Sequence, residues 1–237
     1  MNQPAAPYAK GLEELKERLL LMGGAAEARL RAVVQALVDR NPDALVTPAP
    51  SDSEIDDLKI ELDNQCFTLL ALFHPVATDL RTVVSALKIT TDFANIGHLA
   101  ASIAGVVRRY LQYPPVKPLI DLPRMGDLAL KMLREALEAF VKRDVTLAQQ
   151  VLRQDDALDA LKDQIFREVL TYMLGDARTI EPGIDLILLS RHLERVGDHA
   201  TNIAEDVIFI VDARDVRHGS ARGAIVERRK NSPPSPV

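Results

Sequence analysis

Two stretches of this chain carry one helical pattern 100 positions apart. In and around Ser190-Arg-His-Leu-Glu-Arg-Val-Gly-Asp-His-Ala-Thr-Asn-Ile-Ala-Glu-Asp-Val-Ile208, residues Leu189, Leu193, Val196, Ala200, Ile203, Val207 and Ile210 recur at alternating steps of four and three. That spacing puts them on one stripe of a helix, packed against other helices. Upstream, Phe93, Ile96, Gly97, Ala100, Ile103 and Ala104 stand where Leu193, Val196, Gly197, Ala200, Ile203 and Ala204 recur. An internal repeat restricts the fold more than any single motif, because each copy must be a unit that folds the same way.

The repeat extends beyond this pattern. At an offset of 103, Met125-Gly126 matches Met22-Gly23, and Arg134 and Arg143 match Arg31 and Arg40. Asp155, Asp159, Leu161 and Lys162 match Asp52, Asp56, Leu58 and Lys59 at the same offset. The second copy is therefore three residues shorter near its second turn, where the first has His74-Pro75. Prolines cluster between long proline-free stretches, the shape of long helices with short breaks. The spacing predicts helices from about Ala9 to Arg40, from Ser51 or Asp52 to Leu72, and from Val76 to Tyr110, the last roughly 50 Å long. Gly23-Gly24 is expected to loosen the middle of the first helix. Tyr113-Pro-Pro-Val-Lys-Pro118 is an extended linker, and a sixth helix runs from Ile180 to Ala213. The expected fold is all-α: two tandem three-helix bundles, residues 9–112 and 123–213, followed by a flexible tail over 214–237.

Composition narrows the function. Apolar residues make up 47% of 237, enough for a sizeable core, and aromatics are 4%, the Leu/Ala/Val/Ile usage of packed helices. The net charge of -5 argues against a nucleic-acid partner, which needs a basic face. The single Cys66 excludes an internal disulfide and a multi-cysteine zinc site, and fits a reducing compartment. No apolar run reaches the roughly 18 residues of a membrane span, and the N-terminal residues lack the order of a signal peptide. The expectation is a soluble cytoplasmic protein.

Acidic residues pair at helical spacing four. Asp155/Asp159 and Glu194/Asp198 do so in the second copy, and Asp52/Asp56 in the first, where Ala94 and His98 replace the other pair. Carboxylates so spaced share a face and repel unless something neutralises them. If the fifth and sixth helices pack side by side, four carboxylates converge into an oxygen-rich site for Mg²⁺, Mn²⁺ or iron, or for zinc with His199 or His192 assisting. The plainer reading is a solvated face balanced by Arg191 and Arg195, with Asp52 and Asp155 as helix caps, and spacing alone favours it. His98 is by default a surface histidine, His74 a turn residue and Arg81 a surface arginine. The chain has no Gly-rich phosphate loop, no Glu-x-x-His and no recognisable nucleophile context, so an enzyme, including a metal-dependent phosphoesterase, has little support.

Leu193-Glu-Arg-Val-Gly-Asp-His-Ala-Thr-Asn-Ile-Ala-Glu-Asp206 resembles the signature of the PhoU family, regulatory proteins of phosphate transport. His74-Pro-Val-Ala-Thr-Asp-Leu-Arg-Thr-Val-Val-Ser-Ala-Leu-Lys-Ile89 resembles its second signature, and Asp215-Val-Arg-His-Gly219 its C-terminal end. The resemblance spans roughly Leu12 to Gly219. It implies two three-helix bundles, homodimers, and Glu/Asp-x-x-x-Asp motifs holding iron, zinc, magnesium or manganese. On this chain those motifs fall on Asp155, Asp159, Glu194 and Asp198. It also implies a non-enzymatic negative regulator of phosphate uptake and the starvation response. That regulator would bridge the transporter's ATPase subunit and a sensor histidine kinase at the inner face of the membrane. Ala94, His98 and Thr78 depart from the family pattern, so a weaker or absent first site at Asp52, Asp56 and His98 is expected, with Asp92 as a further candidate. The alternative is a metal-binding or purely structural helical scaffold outside phosphate regulation.

Overall fold

The computed structural model describes residues 5–46 and 51–216. The helices are α1 (Ala5–Val38), α2 (Asp52–Phe73), α3 (Ala77–Tyr110), α4 (Asp121–Lys142), α5 (Val145–Gly175) and α6 (Ile180–Asp212). Short 3₁₀ turns at Pro42–Val46 and Ala177–Thr179 complete the order. The fold is all-α, as the repeat requires. α1, α2 and α3 form one bundle and α4, α5 and α6 the other.

Local chemistry sets the helix ends. Ser51 caps α2 in a capping box: Glu54 N–H donates to Ser51 Oγ at 3.3 Å, and the Glu54 carboxylate accepts from Ser51 N–H. Asp144 caps α5, accepting from Thr146 and Leu147 N–H at 2.8 and 3.0 Å. Arg40 and Arg143, matched at offset 103, both take the left-handed conformation, and the next residue's N–H reaches back to Ala36 O and Ala139 O. The two bundles thus end their first helices with one C-terminal turn. The offset is 103 at Lys59 and Lys162 and 100 at Phe93 and Leu193, so the three-residue difference falls between those positions. Gly23-Gly24 does not interrupt α1, which is continuous there.

All seven stripe residues of α6, from Leu189 to Ile210, are buried, as are Phe93, Ile96, Ala100 and Ile103 of α3. Each large apolar side chain among them contributes about 1.5–3 kcal/mol by leaving water. Lys117 ties the linker down: its buried ammonium pairs with Glu168 and, at 3.5 Å, with Asp121. Val216 packs into the core; positions 217–237, most of the expected tail, lie outside the described residues.

The bundles meet through α1 on α4 and α3 on α6, while among the described residues no contact joins α2 to α5. The meeting is reciprocal. A Cβ on Gly23 would stand 3.2 Å from Leu137, and one on Gly126 would stand 2.8 Å from Val34. Gly126 is Gly23 plus 103, and Leu137 is Val34 plus 103. Residue i touches j and j touches i, the pattern of a two-fold interface, here built within one chain. α2 and α5 are left as outer helices, each with one groove against the third helix of its own bundle, α3 or α6.

Candidate functional site

The α5/α6 groove brings together Asp159 of the fifth helix and Glu194 of the sixth. Gly197 permits this: Leu158 Cδ2 fills the space where a Cβ would be, 2.2 Å away, so the two helices run close. Asp159 on α5 and Glu194 on α6 then face each other across Lys162. Its Nζ donates to Asp159 Oδ1 at 3.1 Å and to Glu194 Oε1 at 3.0 Å. These bonds to two carboxylates hold the Lys162 ammonium well above the ordinary lysine range, against the opposing effect of partial burial. Asp198 lies on the open side of the same groove. Desolvation, then the negative Glu194 and Asp159, push its carboxyl above the usual range. Asp198 therefore feels the charge of both other carboxylates. Asp155 sits well inside α5, whose cap is Asp144, so it is not a helix cap.

The balancing charge comes from the neighbouring helix. Arg191 and Arg195, expected to offset the acids, instead help depress His192, whose basicity is lowered first by burial and then by those two cations. A cleft of about 310 Å³ continues from the site, lined by Lys162, Asp163, Phe166, Ile187, Ser190, Arg191 and Glu194. A larger one, about 580 Å³, opens at the far end of α5 among Pro114, Pro115, Tyr172 and Pro182. Its Arg178 is already held by Asp176 at 2.8 Å, and it holds none of the acidic pairs.

The first copy is wired differently. Asp52 is not the cap of α2, and its carboxylate accepts from Arg29 of α1 at 2.7 Å. Asp56 pairs with His98 Nε2 at 3.1 Å, so His98 has a partner across the α2/α3 groove. Lys59, the counterpart of Lys162, turns along its own helix to Asp63 at 2.6 Å, because Ala94 offers no carboxylate where α6 has Glu194. Of the first-copy candidates, Asp56 and His98 are thus brought together, while Asp52 is held by Arg29.

Other polar residues serve the joint between bundles. His199 does not reach the α5 carboxylates: its Nδ1 lies 2.8 Å from Asp92 of α3, which also accepts from Asn202 at 3.2 Å. Asp92 therefore belongs to the α3/α6 interface and not to a first-copy site. Lys88 reaches buried Asp206 at 3.3 Å, and Arg109 reaches Asp185 at 2.7 Å. Arg81 donates from Nε and Nη2 to Ile210 O, at 3.1 and 3.0 Å, and so satisfies an orphan carbonyl in the last turn of α6. Nothing in the spacing of Arg81 or Asp92 pointed to these partners, which come from the other copy.

The carboxylate set is all oxygen, suited to a hard cation. Among the described residues, no group of three or more His, Cys, Asp or Glu side chains already stands in coordinating positions. The donor chemistry suits a hard cation, and the charge that faces Asp159 and Glu194 in this structure is the Lys162 ammonium.

A family profile described as PhoU domain matches residues 19–107 and again 122–207, one match per bundle. The phosphate-specific transport system accessory protein PhoU homolog of Pseudomonas aeruginosa is 36% identical over 211 residues, covering 87% of this chain and 86% of the relative. The homolog of the same description from Aquifex aeolicus is 32% identical over 209 residues, covering 88% and 95%. The crystal structure of PhoU from Pseudomonas aeruginosa superposes with a TM-score of 0.84 at 33% identity, covering 87% of this chain and all of that one. The phosphate transport system regulatory protein PhoU from Streptococcus pneumoniae gives 0.80 at 25% identity, covering 89% and all of that chain.

Proposed function

This chain belongs to the PhoU family, and we propose that it acts as a negative regulator of phosphate uptake and of the phosphate-starvation response, without catalysing a reaction. The observation that carries the reading is the match of each bundle to the PhoU domain profile, together with 36% identity over 87% of the chain to an accessory protein of phosphate-specific transport. No helix of the described residues is long and apolar enough to cross a membrane. The protein then works in the cytoplasm, drawn to the inner face of the membrane by its partners. Those partners are the ATPase subunit of the transporter, a sensor histidine kinase, and a second copy of the chain.

The metal belongs to the same proposal. Asp155, Asp159, Glu194 and Asp198 would hold a divalent or trivalent ion, which would supply positive charge to neutralise the carboxylates. Asp159 and Glu194 supply oxygens from the two helices, and Asp198 loses its repulsion when a cation neutralises the group. The first copy binds more weakly or not at all, since Arg29 and His98 already satisfy Asp52 and Asp56.

The test is a phosphatase reporter in phosphate-replete cells, with the gene present, deleted, or carrying Asp198→Ala. Deletion should switch the starvation response on. A silent reporter would remove the regulatory role and leave the scaffold reading. If Asp198→Ala mimics deletion, the carboxylate groove takes part in regulation.

A further inference from the structure

We propose that Lys162 is a displaceable internal cation: metal loads the α5/α6 groove by exchanging with its ammonium. The inference rests on the metal-binding reading above and deepens it. Its ground is the geometry on two helices. Lys162 Nζ stands 3.1 Å from Asp159 and 3.0 Å from Glu194, two of the residues that would hold the ion. Neither oxygen can accept the ammonium and a metal on the same lone pair, and two cations in one small groove repel.

The repeat supplies an internal comparison. Lys59 occupies the same helical position in the first copy, next to Asp56, yet it pairs with Asp63 on its own helix. The local differences are three. Ala94 stands in place of Glu194, so no carboxylate calls the lysine across the groove; His98 stands in place of Asp198 and pairs with Asp56; and Asp63 offers a partner where the second copy has Phe166. The groove that keeps a full set of carboxylates is the one that keeps its lysine. A four-carbon stem with a compact charge is suited to this, because it can swing out without disturbing the backbone. The side chain is already a quarter exposed, and the cleft beside it, lined by Phe166, Ile187 and Arg191, leaves room to move.

Exchange has two consequences. The apo groove is held closed by an ion pair rather than left as bare repelling acids, so the fold does not depend on metal. Metal affinity is lowered by the fraction of time the ammonium is in place, and an occupancy of nine-tenths weakens it about tenfold.

The experiment uses the full chain, Lys162→Met, and Lys59→Met as a control for the same loss of charge. Mn²⁺ binding is followed by electron paramagnetic resonance at about 0.15 M salt, where distant charges are screened. Acetylation of Lys162 and Lys59 is followed by mass spectrometry with and without Mn²⁺. The expected result is about tenfold tighter binding in Lys162→Met, no change in Lys59→Met, and an Mn²⁺-dependent rise in Lys162 acetylation alone. Mn²⁺ bound by the unaltered chain, with Lys162→Met no tighter and Lys162 reactivity unchanged, overturns the exchange and leaves the metal reading standing. No Mn²⁺ bound by either the unaltered chain or Lys162→Met overturns the metal reading, and the exchange with it.

Discussion

Gly197 and Leu158 are matched by Gly97 and Ile55. A Cβ on either glycine would fall 2.2 or 2.4 Å from the δ-carbon of its partner, which is fully buried. Each glycine thus lets the outer helix pack closely on the third helix of its bundle. Overpacking costs about 1–3 kcal/mol, against up to about 1 kcal/mol that alanine gains over glycine in a helix. Gly197→Ala should therefore lower stability by about 1 kcal/mol in urea denaturation. Gly105→Ala, where a Cβ meets nothing within 4 Å, should raise it by a similar amount. In a double-mutant cycle, Leu158→Ala should recover part of the Gly197→Ala loss.

Asp198 should destabilise the metal-free protein at neutral pH. Its carboxyl is raised by desolvation, then by Glu194 and Asp159, so the folded chain holds that proton to higher pH than the unfolded chain. The cost is full above the folded value, fades as pH falls through it, and is gone below the unfolded value of about 3.9. Asp198→Asn should raise the Tm at pH 7 in chelator, with the difference shrinking as pH falls towards 4. Calorimetry across that range checks it, and a lower Tm at pH 7 would contradict it.

Arg81 ties the start of α3 to the end of α6 through two bonds to one carbonyl. A charged donor to a partly buried carbonyl contributes about 1.5–3 kcal/mol. Arg81→Ala should lose on the order of 2 kcal/mol in urea denaturation, and Arg81→Lys should recover only part, since an ammonium cannot reproduce the guanidinium fork. Hydrogen exchange should show the last turn of α6 opening first.

Asp92 holds two groups of the other bundle, His199 and Asn202. Asp92→Ala leaves both without that acceptor, at a cost of about 1–3 kcal/mol. The loss should appear as faster exchange at the α3/α6 joint, with the α5/α6 groove unaffected. Unchanged Mn²⁺ binding in this variant would separate the joint from the site.

The regular parts of the protein were open to reading because they obey short-range rules. Leu193, Val196 and Ala200 announce a buried stripe by spacing alone, and Ser51 and Asp144 are typical caps. The acidic pairs were legible as pairs, since i and i+4 always share a helix face. Their neutralising partner was not. Arg191 and Arg195 lie next to Glu194 in the chain, but Lys162 reaches it from α5, 32 residues upstream. His199 was a candidate to assist zinc, yet one helical step of about 100° beyond Asp198 turns it towards Asp92.

By itself the sequence determined two copies of one three-helix plan, the stripes each helix buries, and the loss of two carboxylates in the first copy. These follow from periodicity and from matching residues at fixed offsets. Only the tertiary structure decided how the copies face each other, with Gly23 against Leu137 and Gly126 against Val34. It alone decided that Lys162 crosses the groove while Lys59 does not. The physical reason is that a long charged side chain goes to whichever opposite charge the packing brings within reach, and reach is a property of helices side by side, not of residues in a row.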